Sequence, residues 1–337
     1  MSTKQFMRKI LFCKGDPVSL KLQKLYQSLS KIKANIRFWG NKKTYGEFNP
    51  DKVFYVIRVT PPGSGFFANF HLVKTHIAMA MNRGMIPIVD MENYDTYYTA
   101  TEPINGTNNA WEYFFEQPSQ VTLDEVYKSK NVVLAFGEFP GHLYDHARID
   151  YLNGDEGYYE FAKLIKSYMK LNSPTLEYVE KVWSKVKRTD GDILAVMSRG
   201  SDYRNLKPSG HCIQPEPDVL LKETKRMMRK YKIRYCFLKT EERFVYEMFE
   251  KALGDRLIPA EDAFYFDNLG TNEIIIDHKI EGKNAKYQST LEYLGKVWIC
   301  SKCDYLITGI NSGSIVAIEL NGGQYKGKSI IDLGRYP

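Results

Sequence analysis

The chain has 337 residues, 43% hydrophobic, 26% charged and 14% aromatic with 24 tyrosines, which excludes a disordered protein and suits two domains of about 150 to 190 residues facing a cleft. The formal net charge is +7, but residues 1–60 hold 13 Lys and Arg against 3 Asp and Glu, so the basic surface is local. No run approaches the roughly 18 apolar residues of a membrane span, Met1–Ile10 lacks the apolar stretch of a secretory signal, and five cysteines suit reduced thiols rather than a disulfide framework. A soluble, cytoplasmic protein is expected, and no nucleic-acid-binding motif accompanies the charge.

In chain order, Val18, Leu22, Leu25, Leu29 and Ile32 recur at helical spacing with Lys21, Lys24, Lys31 and Lys33 between them. This basic amphipathic helix either packs its stripe on a sheet or rests at an anionic membrane surface, where a lipid-linked glycan would be reached. Val53–Thr60 reads as a strand, Pro61-Pro62-Gly63-Ser64-Gly65 as a glycine loop, and Phe70–Asn82 as a helix stopped at Gly84. A buried strand over Met85–Asp90 leads into a long Tyr-rich segment reaching Trp111, of a length usually tied to function. Val132–Phe136 reads as a strand, Tyr158–Met169 as a helix, and Pro174–Val186 as a helix with Ser173 as its N-cap.

The polar turn-forming stretch Lys185–Asp192 divides the chain into an N-terminal acceptor-side domain, 1–186, and a C-terminal nucleotide-sugar-binding domain, 187–337. The second half reads as strands over Ile193–Met197, Ile233–Leu238, Arg256–Pro259, Tyr305–Thr308 and Ser329–Asp332. Helices over Asp218–Tyr231, Glu242–Leu253, Thr290–Ser301 and Ser314–Leu320 lie between them. Such alternation predicts a Rossmann-like parallel sheet. The C-x-x-C pair Cys300 and Cys303 has no second pair to complete a zinc site, so core packing is expected of both, as of Cys13, Cys212 and Cys236.

Four loops at the carboxyl ends of strands carry the groups suited to chemistry. After Ile193–Met197 come Arg199 and Asp202; a guanidinium there is a fixed charged fork that can grip a diphosphate through parallel hydrogen bonds, with Asp202 holding it in place. His211, further along, either donates to a phosphate or satisfies a loop carbonyl. Thr240 and Glu241, after Ile233–Leu238, offer a hydroxyl and a carboxylate to a base or ribose, or else Thr240 caps a helix. Asn311, Ser312, Gly313 and Ser314 open an apolar helix, where exposed amides and the helix dipole bind phosphate without a metal. Gly63, Gly65 and Asn69 form the fourth loop, with Asn69 facing the cleft. That loop lacks G-x-G-x-x-G spacing, which disfavours a nicotinamide oxidoreductase.

Taken together these loops resemble the fucosyltransferase superfamily of GT-B glycosyltransferases, which includes α1,6-, α1,2- and protein O-fucosyltransferases, and particularly its bacterial capsule and surface-glycan members. Gly65-Phe66-Phe67-Ala68-Asn69 is similar to the family's G-R-F-G-N loop, Val196–Asp202 resembles its H-x-R-x-x-D motif, Leu238–Glu241 its T-D segment, and Asp304–Ser314 its C-terminal phosphate motif. Met197 stands where the family has His, Gly200 where many members have a second Arg, and Lys296, with Glu292 one turn earlier, near the place of its guanine-contacting Asp. The resemblance implies an α/β, GT-B-like fold of two Rossmann-like domains, and transfer of L-fucose from GDP-fucose to a glycan acceptor, inverting, with neither metal nor cofactor. Candidates to deprotonate the acceptor are Glu92, Asp95, Glu138 and His71. Two alternatives stay open: a GT-A-type metal-dependent glycosyltransferase using Asp90 and Glu92, and a non-catalytic protein binding glycan or nucleotide.

Overall fold

The computed structural model of the chain describes residues 42–58, 65–135, 146–259, 265–266 and 284–337. The basic helix expected over residues 18–32, Cys13, Gly63, Glu138 and the Asp202 side chain lie outside what is described.

The first half is built on strands β1 (Lys42–Lys43), β2 (Phe54–Ile57), β3 (Ile86–Val89) and β4 (Val132–Leu134) in the order β1-β4-β2-β3, with β1 alone antiparallel. Helix α1 (Phe66–Met81) makes the crossover from β2 to β3. Every residue of β2 is buried, as expected of a parallel strand covered on both faces. Tyr55 and Ile57 point into the main core, and Phe54 and Val56 into a smaller one on the opposite side. Helices α2 (Leu123–Val126), α3 (Ile149–Leu152), α4 (Glu156–Tyr168) and α5 (Ser173–Val186) follow among the described residues of this half. Asn172 rather than Ser173 caps α5, accepting from the Thr175 amide at 3.0 Å, since the chain is already helical at Ser173 with proline in the first turn.

The second half has β5 (Ile193–Met197), β6 (Tyr235–Lys239), β7 (Tyr305–Gly309) and β8 (Gly327–Ile331), all parallel, in the order β6-β5-β7-β8. Helices α6 (Ser201–Leu206), α7 (Pro217–Lys230), α8 (Arg243–Leu253), α9 (Ala285–Lys302) and α10 (Ser312–Asn321) connect them. The strand expected over Arg256–Pro259 is instead a 3₁₀ turn (Gly254–Arg256) followed by a single bridge between Cys236 and Leu257. Leu194 and Val196 pack on α7 and α8, whereas Ile193, Ala195 and Met197 enter the main core.

That main core is continuous from the first sheet to the second through α1, α4, α5, α9 and α10. Phe67 meets Tyr293 at a ring separation of 4.9 Å and Phe70 meets Trp298 at 6.1 Å, so the start of α1 is seated on α9. A β-carbon at Gly295 would stand 2.7 Å from the Tyr178 ring, so α5 and α9 approach as closely as only glycine permits. The end of the Tyr-rich segment enters the core: Trp111 is buried, as are Tyr113, Phe114 and Phe115 just beyond it, and the buried Asn109 side chain bonds Val89 O, Met91 N and Trp111 N. Cys236, Cys300 and Cys303 are buried free thiols, and burial pushes Cys300 up to about 12, so none is poised as a thiolate. No helix among the described residues is long and apolar enough to cross a membrane.

Candidate functional site

In the second sheet the chain moves from β5 outward to β6 on one side, then returns to place β7 and β8 on the other. The crevice at the carboxyl ends of β5 and β7 is therefore the switch point at which open α/β sheets bind ligands. A cleft of about 950 Å³ lies there, walled by the second half and by Gly65, Phe66 and Phe67 of the first.

Arg199 leaves β5 into this cleft with its guanidinium carbon 4.6 Å from the Tyr203 ring. Its main chain is held by Arg204, which donates to Arg199 O at 2.8 Å and reaches Glu242 at 3.1 Å and Glu216 at 3.3 Å. Arg204 sits in α6, a segment expected as loop, and no sequence signal pointed to it; its partners are 5 to 38 residues away.

Across the cleft, β7 ends at Gly309 and α10 begins at Ser312. The Asn311 side chain accepts from the Ser314 amide at 3.0 Å and the Ser314 hydroxyl accepts from the Asn311 amide at 3.0 Å, a reciprocal capping box. Those two side chains are thus spent inside the turn. The amides of Ser312 and Gly313 have no hydrogen-bond partner among the described residues and sit at the positive end of the helix dipole. Gln214 ties the turn to the 212–214 segment, donating to Cys212 O at 2.9 Å and to Ile310 O at 2.8 Å and accepting from the Asn311 amide group at 3.2 Å. Sequence reasoning missed Gln214 because its partners lie 96 and 97 residues away.

The floor carries charge. Glu241 pairs with Lys239; burial would raise its carboxyl, but Lys239, Arg199 and Lys296 outweigh it and hold the group below the ordinary range. Glu292 pairs with Lys296 at 2.6 Å. The described lining carries four Lys or Arg, namely Arg199, Lys286, Lys296 and Arg335, against two carboxylates, which favours an anionic guest. His211 lines the same wall with its ring edge-on to Tyr203 at 5.4 Å.

Of the residues singled out in the sequence, Gly65, Arg199, His211, Glu241, Glu292, Asn311 and Ser312 converge on the cleft. Gly313 and Ser314 are buried in the turn beneath it. Asn69 does not face the cleft: α1 begins at Phe66, so residue 69 falls on the buried side, where it meets the Tyr98 hydroxyl. His71, on the same helix, lies behind the wall and donates to Ser312 O at 3.1 Å. Thr240 is fully buried and accepts from the Glu242 amide at 3.2 Å within the turn before α8, whose N-cap is Glu242 rather than Thr240. Glu92 and Asp95 are exposed outside the cleft lining. Asp90 accepts from the Glu92 amide, the Asn93 amide and side chain and the Tyr127 hydroxyl, a closed turn in which it does not pair with Glu92 as a cation ligand. Cys212, expected in the core, is half-buried and lines the cleft.

Fold and site together define an α/β protein of two halves, one on a mixed and one on a parallel sheet, with an anion-suited cleft at a topological switch point. No protein-family model matches the chain, and no curated protein matches its sequence. In fold it is similar to solved fucosyltransferases: NodZ from Bradyrhizobium (14% identity, 85% of this chain and 97% of that one, TM-score 0.45), Arabidopsis thaliana FUT1, a mutant in complex with GDP (9%, 84% and 71%, 0.46), and POFUT1 in its apo form (10%, 83% and 98%, 0.44).

Proposed function

We propose that the protein is a glycosyltransferase that binds a nucleoside-diphosphate sugar in the cleft and transfers the sugar to a glycan acceptor. One observation carries this reading: Arg199 and the unpartnered amides of Ser312 and Gly313 belong to loops that border a single cleft from the two sides of the switch point. A diphosphate matches that set, because the guanidinium supplies paired donors and permanent charge while the helix terminus supplies amides and a dipole.

When the bond between the anomeric carbon and the β-phosphate oxygen breaks, negative charge grows on the departing diphosphate. Donors already aimed at that position stabilise the transition state more than the ground state, by a few kcal/mol each. Arg199 takes that role with the Ser312 and Gly313 amides, and Arg204 and Gln214 fix the two loops that carry them. Glu241 and Lys296 belong beside the nucleoside end, and Lys286 and Tyr97, 5.3 Å apart, on the acceptor side. The motif resemblance makes GDP-fucose the donor, with inversion at the anomeric carbon and no metal. Peripheral contact with a membrane surface through the basic helix, and the division of roles at residue 187, belong to the same reading.

The test is Arg199→Ala, with its fold verified by circular dichroism. Calorimetry is expected to show GDP binding by the parent protein and at least about tenfold weaker binding by the variant, the loss of one charge-assisted pair. Transfer from GDP-fucose is expected to survive EDTA in the parent and to vanish in the variant. Near-normal turnover by the folded variant would overturn the reading.

A further inference from the structure

Helices α1 and α10 belong to different halves of the sequence and lie against each other behind the cleft wall. Their contact holds an unusual amount of buried charge. Lys74 Nζ is 2.6 Å from Glu319 Oε1 with both side chains fully buried. The Tyr151 hydroxyl also donates to Glu319, and His146 Nδ1 stands 3.5 Å from the same oxygen. One turn earlier on α1, His71 Nε2 donates to Ser312 O at 3.1 Å, and Tyr158 donates to Ile318 O at 2.8 Å.

Stability alone does not account for this set. Removing two charges from water costs as much as their attraction returns, and well-packed apolar residues of the same volume are commonly at least as stable. Glu319 also sits near the carboxyl end of α10, where the helix dipole disfavours an anion. An ion pair does contribute something an apolar pair lacks: one register, because a shift of α10 along α1 would strand two buried charges. The His71 bond fixes the same register at the opposite end, on the carbonyl of Ser312, a residue of the cleft lining whose amide has no partner among the described residues. His71 lies behind the wall, where burial and the neighbouring Lys74 and His146 push its imidazole well below its ordinary pKa and keep it a neutral donor.

We propose that His71 and the Lys74–Glu319 pair are positioning residues, which hold the amino end of α10 in register so that the Ser312 and Gly313 amides stand across the cleft from Arg199. None of the three touches substrate.

The first readout requires no ligand. In hydrogen exchange on the free protein, His71→Phe and the apolar double variant Lys74→Met with Glu319→Leu are expected to speed exchange in the 309–315 segment by about three- to tenfold, the loss of one local hydrogen bond. The thermal midpoint is expected to hold in both, and His71→Gln, which keeps a donor, to restore protection. The second readout rests on the diphosphate reading above: GDP is expected to bind the two variants about three- to tenfold more weakly and His71→Gln nearly normally. Unchanged exchange in both variants overturns the proposal, as does faster exchange with unchanged GDP affinity. A parent protein that binds no GDP would sink the diphosphate reading, and exchange alone would then decide whether these residues hold the turn.

Discussion

Gly309 shows how one residue can fix a binding turn without touching a ligand. A β-carbon there would lie 2.5 Å from Pro215 Cδ and 3.1 Å from Gln214 Oε1. The proline ring is rigid and Gln214 is the bridge to Ile310 and Asn311, so neither can yield without moving the turn. Gly309→Ala is accordingly expected to cost about 1 to 3 kcal/mol, the usual range for overpacking a closed site. Urea denaturation should show this as a lower midpoint with an unchanged slope, accompanied by weaker GDP binding. The sequence signalled this glycine only as one of a run of small residues; the contact that makes it necessary comes from a segment some 95 positions away.

At the scale of the element, α10 is an apolar helix whose opening turn is assembled by its own side chains. Its middle residues, Ile315 to Ile318, are all buried, so packing rather than propensity keeps it helical. The capping box between Asn311 and Ser314 sets where it starts and hence which amides are left without a partner. Removing the acceptor in Asn311→Ala is expected to destabilise the fold by about 1 kcal/mol, the ordinary worth of an N-cap. Asn311→Ser is expected to recover most of it in thermal unfolding. If Asn311→Ala left both stability and GDP affinity unchanged, the turn would not depend on its cap. The small-residue run made this turn readable as an anion site from sequence, although the sequence could not say that Asn311 and Ser314 serve the cap while Ser312 and Gly313 supply the free amides.

For the whole molecule, the core that joins the two sheets holds titratable groups that fix its response to acid. His76 is buried and its Nδ1 shares a hydrogen bond with the Tyr55 hydroxyl at 2.7 Å; burial pushes the imidazole from 6.5 to about 4. His146 is pushed to about 3 by burial, Lys74 and Arg148. Well above pH 6.5 both are neutral whether the chain is folded or not. Below it the unfolded chain takes up protons that the folded one refuses until about pH 4 at His76. Stability therefore falls as pH drops from 6.5 toward 4, by up to about 1.4 kcal/mol per unit for each such histidine. His76→Gln, whose amide can donate to or accept from Tyr55, should flatten that decline in denaturation measured at pH 7, 6 and 5. An unchanged slope would show that His76 does not carry it.

The sequence by itself determined the alternation of strands and helices in the second half and the loops where ligand chemistry belongs. Ile193–Met197 is apolar throughout and Tyr305–Gly309 nearly so, and only a sheet covered on both faces buries such runs, so their carboxyl ends were marked in advance. Arg199, Glu241 and Asn311 were legible for that reason. Tertiary structure alone decided which way α1 turns its polar residues, since a helix packed on several sides has no solvent face in its periodicity: Asn69 and His71 face inward, and Lys74 finds Glu319 across 245 residues. It also decided that Arg204 and Gln214 brace the two loops, because hydrogen bonds between distant segments leave no trace in local spacing.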